Sequence, residues 1–421
     1  MQTPMTRVMV FLSLLAGVAP AAGAQVDQQR AQQYFNDAQA LCERDGGRLW
    51  GVSICAPMVI ADRRTQTIAT SQPAPEGERP RLLCLVNAPV QWGGATWGAY
   101  VWDYVANATP RHRMEILLHE LFHGVQPQLG LMAPAQATEH LDAADGRYWL
   151  RLEWRALARA LRESGEQRTI AVRDALAFRQ ARRLLYPASV EDERGQEITE
   201  GLASYTGTVL AAPSVADAIT GALELLVTAE AEESFVRTFA YKSGPAYGLL
   251  LDAASPGWTR RVRGADDLGT LVMGALAIQP ATDATASANR YGGAEIRASE
   301  QQREQERQER LAELRQRFVE GPVLQIPGGG NGMSNSLGAI VIPGIGTVYF
   351  GPFRASGSWG TLEAEKGVLV ATDGRTRRVP APVRRDDGTF AGDGWTFKVG
   401  PGWVVREGSR RGDYEVVRQQ P

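Results

Sequence analysis

The residues with the most chemistry in this 421-residue chain sit in one short segment, LLHELFHGV. His119 and His123 are four apart, so on a helix they project from one face, one turn apart. Two imidazoles at that spacing can grip one Zn²⁺, and Glu120 beside them can serve as general base toward a zinc-activated water. Leu117, Leu118, Leu121, Phe122 and Val125 flank them, as the apolar sides of a buried site helix should. The chain has only four His, so two of them framing this Glu is a rare coincidence. The plain alternative, a helix with two surface histidines, fits these flanks poorly.

Such a site needs a third protein ligand. The longer pattern H-E-x-x-H-x-x-G-x-x-H does not supply it, because Gln126 and Leu129 stand at its Gly and His positions. Glu139, Asp142 and Asp145 lie in a polar turn, TEHLDAADGR, and read as helix-capping residues. Glu153 shares a helical stripe with Trp149, Leu150, Leu157 and Ala160, which predicts burial and therefore a metal or an Arg partner. Glu200, in TEGLASYTG, is the better candidate. Gly201, Ala203 and Ser204 are small enough to let its helix approach the histidine helix closely.

With these segments in view, the chain resembles the gluzincin metallopeptidases, especially their aminopeptidase branch. There the third zinc ligand is the Glu of an N-E-G-F-A-x-Y segment; Glu200 falls on that Glu and Tyr205 on its Tyr. The same branch has a Y-x-K-G-A segment opening a hydrophobic helix, whose Tyr stabilises the tetrahedral intermediate. In FAYKSGPAYGLLLD, Tyr241 falls on that Tyr, Gly244 on the Gly and Leu249 to Leu251 on the apolar run, with Tyr247 as an alternative. The resemblance covers roughly residues 110–255. It implies a zincin-like catalytic domain, one Zn²⁺ per chain on His119, His123 and Glu200, catalytic Glu120 and Tyr241, and a peptide or protein substrate. It also has departures. The 77-residue gap from His123 to Glu200 is longer than in that branch and implies a helical insertion carrying Glu153. The Lys has moved to Lys242. The amine-holding G-x-M-E-N signature is absent, and Met114-Glu115 is too close to His119 to replace it. Endo- and exopeptidase action therefore both stay open. Uncharacterised exported bacterial zincin-like proteins with a HELFH helix and a trailing β domain are similar as well.

The elements that must position these residues follow from periodicity and punctuation. A helical pattern over 25–45 (Tyr34, Ala38, Leu41) stops at Gly46-Gly47. RLWGVSIC, PMVIA, QTIAT, RLLCLV and TWGAYVWDYV then read as strands, completing an N-terminal β-rich lobe over 25–110. The last of them is a candidate edge strand for β-addition of an extended peptide, with Trp97 and Tyr100 on it. Thr109-Pro110 opens the histidine helix. Helical patterns dominate a lobe over 111–293, whose final 280–293 stretch is small and polar like a linker. A charged connecting helix over 294–320 lacks the apolar repeat of a coiled coil. From 321 to 421, Gly, Pro, Val and Trp alternate with turn signals, which predicts a small all-β domain. The expected class is α+β.

Composition narrows the rest. Hydrophobic residues are 44% and charged residues 22%, a globular balance. The formal net charge of −2 speaks against a nucleic-acid partner, and no glycine-rich nucleotide loop is present in the sequence. Only three of the 45 basic residues are Lys, and the Arg excess reads as coding bias. Arg7, the apolar run Val8–Val18 and Ala22-Gly23-Ala24 form a signal-peptide pattern over 1–24, so the expectation is a periplasmic or secreted protein with no transmembrane segment. Cys42, Cys55 and Cys84 allow one disulfide in three pairings. A straight strand between Cys42 and Cys55 would separate them too far to bridge. A second functional reading is an exported binding or envelope-assembly protein on the same scaffold, with zinc structural or absent and Trp359, Trp395 and Trp403 offering a ligand surface. An intact Glu120 argues against it, since a structural zinc site has no need of a base.

Overall fold

The computed structural model describes residues 25–80, 83, 86–133, 138–236, 238–329, 331–334 and 338–419. The expected leader over 1–24, Cys84 and most of RLLCLV lie outside the described residues. The chain is mixed α/β, helical through its N-terminal two thirds and β-rich at its C-terminal end. It divides into two units, 1–300 and 301–421, with the division inside a helix and not at the small-residue stretch before it.

The first unit opens with α1 (Gln28–Asp45), capped by Asp27 and ended by Gly46 in the left-handed region. β1 (Met58–Ala61), β2 (Ile68–Thr70), β3 (Ala88–Trp92) and β4 (Ala95–Val101) form one sheet in the order β2-β1-β4-β3. β4 pairs parallel with β1 and antiparallel with β3. It is thus an interior strand, not the edge expected from TWGAYVWDYV. Trp97 and Tyr100 are buried in the packing, and the segment turns helical at α2 (Trp102–Asn107). The outer edge on this side belongs to β3, a strand that the pattern reading missed.

RLWGVSIC is also not a strand. It runs through turns after Gly46 and Gly47, both at positive φ, and folds back along α1. That reversal brings the Cα atoms of Cys42 and Cys55 to 5.4 Å, where they form a disulfide. The assumption of a straight strand was what put the pair out of reach.

The helical part follows as α3 (Pro110–Val125), α4 (Ala144–Arg162), α5 (Gly165–Leu185), α6 (Val190–Gln196), α7 (Leu202–Ala211), α8 (Val215–Ala229), α9 (Phe239–Ala254) and α10 (Leu268–Leu276). The small, polar stretch expected as a linker contains α11 (Ala284–Ala288). Ser287 there donates to Asp174 on α5, and the Tyr291 hydroxyl donates to the same carboxylate. The charged helix is present as α12 (Gly293–Arg315). It is not solvated along its whole length, since Ile296 and Glu300 are buried and Glu300 accepts from Arg147 and Arg151. Among the described residues no helix is long and apolar enough to cross a membrane.

The second unit holds a seven-stranded and a six-stranded sheet between Val323 and Arg418. Trp359 and Trp395 are buried with Leu324, Leu362, Val379 and Phe397, and Trp403 packs half-buried against them. These tryptophans make the core and do not form an exposed ligand platform.

The disulfide closes a short loop, with a sequence separation of 13. Replacing Cys42 and Cys55 together by Ala is expected to lower the stability of the N-terminal unit by about 3 kcal/mol. Urea unfolding monitored by tryptophan fluorescence measures it, and an unchanged midpoint would contradict the expectation.

Candidate metal centre

Helix α3 starts cleanly. Thr109 caps it by accepting from the His112 amide at 3.3 Å, and Pro110 takes the first turn, where no amide is needed. Leu117, Leu118, Leu121 and Phe122 are buried on its far sides. Phe122 packs on Trp50, with ring centroids 4.6 Å apart, and the Tyr100 hydroxyl donates to the Leu117 carbonyl at 2.7 Å. The remaining face, His112, Glu115, Ile116, His119 and Glu120, lines a cleft of about 540 Å³. Ser204 and Thr208 of α7, Leu225 of α8, and Tyr241 and Lys242 of α9 line it from the other side.

His119, Glu120 and His123 form a cluster that could hold a metal ion. His119 Nε2 and His123 Nε2 are 2.9 Å apart, and each lies 3.3 Å from Glu200 Oε2. For zinc bonds of about 2.0–2.1 Å, tetrahedral ligands stand roughly 3.3–3.4 Å from one another. The three atoms therefore have nearly the separations of three corners around one ion. Glu200 Oε2 is buried and receives no well-aligned hydrogen bond, so it is an acceptor without a donor. His123 Nδ1 lies 2.6 Å from Gln126 Oε1, while Gln126 Nε2 donates to the carbonyls of Ile198 and Thr199 at 3.0 and 2.8 Å. Those two carbonyls orient the amide, so its oxygen must accept from His123 Nδ1–H and the Nε2 lone pair of His123 is left for a metal. The Nε2 lone pair of neutral His123 and the carboxylate oxygen of Glu200 converge with His119 Nε2, a donor set that fits a cation.

Glu200 arrives on a π-helical turn, Glu197–Gly201, that leads directly into α7. Single π turns inside helices re-aim side chains and are frequent at functional sites. This one is held from behind. Arg179 of α5 grips both carboxylate oxygens of Glu197 and reaches Glu153 Oε1 at 3.3 Å and Asp267 Oδ2 at 2.8 Å. Glu153 also binds Arg182 and accepts from the Tyr247 hydroxyl at 2.6 Å. Glu153 thus takes the Arg partners that its burial required and stays away from the histidines. Tyr247 belongs to this buried network and not to the cleft.

Tyr241 does reach the site. Its ring lies against His119 with centroids 5.3 Å apart and planes 10° from parallel. The cause is local to α9. Pro245 has no amide with which to bond the Tyr241 carbonyl, and Ser204 of α7 donates to that carbonyl instead, at 2.8 Å. One residue earlier, Gly244 touches Gly201, where a Cβ on Gly244 would come within 2.3 Å of the Gly201 carbonyl oxygen. The small residues after Glu200 therefore serve mainly the contact with α9. Helix α7 also comes close to the histidine helix further on, at Gly207, where a Cβ would meet the Glu115 carbonyl oxygen at 2.5 Å. Tyr205 points into the core and donates to Asp252 at 2.8 Å.

Electrostatics follow the packing. Burial pushes the Glu120 carboxyl up from its ordinary range, while the two imidazoles pull it down. Burial alone would raise Glu200, but the imidazoles of His119 and His123 beside it hold it far below the usual carboxylate range. Burial and the Glu200 carboxylate raise the Tyr241 hydroxyl.

The other two histidines do not join the cluster, although His112 lines the same cleft. His112 is exposed at the start of α3 and pairs with Glu115 at 3.2 Å. His140 Nε2 meets Glu193 Oε1 at 2.7 Å, away from the cleft. Asp142 accepts from Ser234 and the Phe235 amide, and Asp145 pairs with Arg297; neither is near the histidines. Sequence reasoning missed Gln126, which it had noted only for not being Gly. Its three-residue spacing from His123 on a helix was the available signal. The chain matches no family model, no curated protein and no solved structure in comparison with known proteins.

Metal titration of variants separates ligands from supports. Glu200→Gln is expected to weaken zinc binding more than Gln126→Ala, which should lose about 10- to 100-fold in affinity. Glu153→Gln should keep the metal but lose about 3–5 kcal/mol of stability by leaving buried Arg charge uncompensated. Chelator competition and urea unfolding read the two effects. Metal loss in Glu153→Gln with retention in Glu200→Gln would reverse the assignment.

Proposed function

We propose that the chain is an exported zinc-dependent metallopeptidase of the gluzincin kind, with a zincin-like catalytic unit that hydrolyses peptide bonds in the cleft over α3. The observation that carries this reading is the convergence of His119 Nε2, His123 Nε2 and Glu200 Oε2 at 2.9–3.3 Å from one another, with His119 lining the same cleft as Glu120 and Tyr241. An N-terminal sheet ahead of the histidine helix and a helical lobe behind it is the arrangement that the family resemblance implies. The Cys42–Cys55 disulfide supports export, because such bonds persist in oxidising compartments.

His119, His123 and Glu200 would hold the metal, two neutral donors and one anion. The zinc, when bound, supplies a Lewis acid that polarises the scissile carbonyl and lowers the pKa of water towards about 7. Glu120 takes a proton from the attacking water as its oxygen bonds to the carbonyl carbon. It then delivers that proton to the leaving nitrogen as the C–N bond breaks, so the carboxylate ends as it began. The Tyr241 hydroxyl, carried on a ring held against His119, donates to the carbonyl oxygen as negative charge develops there. Gln126 keeps His123 in the tautomer that ligation requires. A purely binding protein on this scaffold would need neither a base at Glu120 nor a donor at Tyr241.

Mass-spectrometric cleavage mapping of a diverse peptide library tests the reading, using the zinc-loaded chain from Gln25 and its Glu120→Gln variant. The expected result is cutting by the first and a loss of on the order of 100-fold or more in the second. Two folded, metal-bound proteins that cut nothing would favour a binding role.

A further inference from the structure

The cleft does not end at the histidines. A second cavity, also about 540 Å³, is lined by Asn87, Asp103, Tyr104, Asn107, Ala108, His112 and Ile116. Asn87, Tyr104, His112 and Ile116 line both cavities, so the two are one continuous groove. Helix α3 forms its floor throughout, presenting positions 112, 115, 116, 119 and 120 in the spacing of a single helical face. Seven residues of helix separate His112 from His119, about 10 Å along the axis. That is the length of roughly three residues of extended chain.

The walls carry apolar surface that a closed core would have buried. Tyr104 is 52% exposed and Val86 46% exposed, and both line the groove. Tyr104 stands where the two cavities meet, and the Arg63 guanidinium lies 5.1 Å from its ring. Val86 and Asn87 lead directly into β3, whose sheet partner among the described residues is β4 alone, so its other edge has backbone groups free for pairing.

Resting on the metallopeptidase reading, we infer that the groove takes an extended polypeptide that continues about three residues beyond the scissile bond on one side, with an apolar or aromatic side chain seated between Val86 and Tyr104. The substrate class is an unfolded or loop segment of a protein, and the action is endopeptidic. A dipeptide at the histidines would leave the second cavity, which Tyr104 helps to line, uncovered. Among the described residues, the other carboxylates lining the groove are paired, Glu115 with Arg111 and His112 at 3.0 and 3.2 Å and Asp103 with Arg64 at 3.7 Å, so beyond Glu120 and Glu200 none is left to hold a free amino terminus.

The test separates this inference from the reading beneath it. Fluorescein-labelled random-sequence di-, tetra-, hexa- and octapeptide mixtures are titrated against the zinc-loaded Glu120→Gln variant, and binding is read by anisotropy. Burying one more large apolar side chain is expected to tighten binding about tenfold between the di- and hexapeptide mixtures, with little further gain at the octapeptide. Adding Tyr104→Ala should remove most of that gain; because Tyr104 is half exposed, a thermal melt matching the parent confirms that the fold is intact. Equal affinity at every length, or a length effect untouched by Tyr104→Ala, overturns the inference. Cleavage of the same mixtures by the unaltered chain is scored separately. Length-dependent binding without any cleavage would defeat the peptidase reading and leave the extended groove standing, whereas cleavage confined to terminal residues of short peptides would defeat the groove and leave the peptidase.

Discussion

A guanidinium with almost no access to water organises the helical part of this protein. Arg179 on α5 meets Glu153 from α4, Glu197 from the π turn and Asp267 from the start of α10. Buried charges must be paired, and Arg can pair with several carboxylates at once because its donors are fixed in a planar fork. A second Arg, Arg182, shares Glu153 and extends the network to Glu193 and thence to His140. Well-packed apolar residues could often match such a network in stability. They could not match its geometry, because a slip of α5 against α4 would strand several charges together. The π turn is gripped at its first residue, so Glu200, three residues on, is presented from a fixed base.

The proposed metal centre is supported from three separate directions. The ion network holds the back of the turn that carries Glu200. Gln126 ties His123 to the same turn through the carbonyls of Ile198 and Thr199, so two ligands on distant segments share one amide. Pro245, Ser204 and the Gly201–Gly244 contact set α9 against α7 and thereby place Tyr241 on His119. Apart from Ser204, none of these devices lines the cleft. Each restrains a side chain of the proposed site, which is the preorganisation that metal binding and proton transfer both need.

A reading of motifs named the residues that the structure brings together at the cleft, and read the scaffold unevenly. His119, Glu120 and His123 were legible because helical spacing alone puts two imidazoles on one face. Glu200 and Tyr241 were legible through short segments of small residues around them. The change from helices to strands was legible from composition, since an Ala- and Arg-rich stretch gives way to Gly-, Val- and Trp-rich strands, whereas the division at residue 300, inside α12, was not. Local pattern failed where chain reversal or pairing decided the outcome. RLWGVSIC has the residues of a strand, but two left-handed glycines turn it back along α1, and that reversal makes the disulfide. TWGAYVWDYV became an interior strand and then a helix because β3, whose short APVQW segment gives little signal, covers its outer edge.

What the chain order carries, then, is the set of donors and their local spacing: two imidazoles and a carboxylate on α3, a carboxylate among small residues before α7, and a tyrosine ahead of Gly-Pro in α9. Periodicity is a property of one helix and can be counted along it. The choice between Glu153 and Glu200 is different, because both are carboxylates on helical segments and both were candidates for the third ligand. Only the tertiary structure separates them. It satisfies one with Arg179, Arg182 and Tyr247, leaving the other beside the histidines without a donor. Which carboxylate receives a cation from the protein depends on how α4 and α5 pack, and that packing joins residues too far apart in the chain for any local pattern to record.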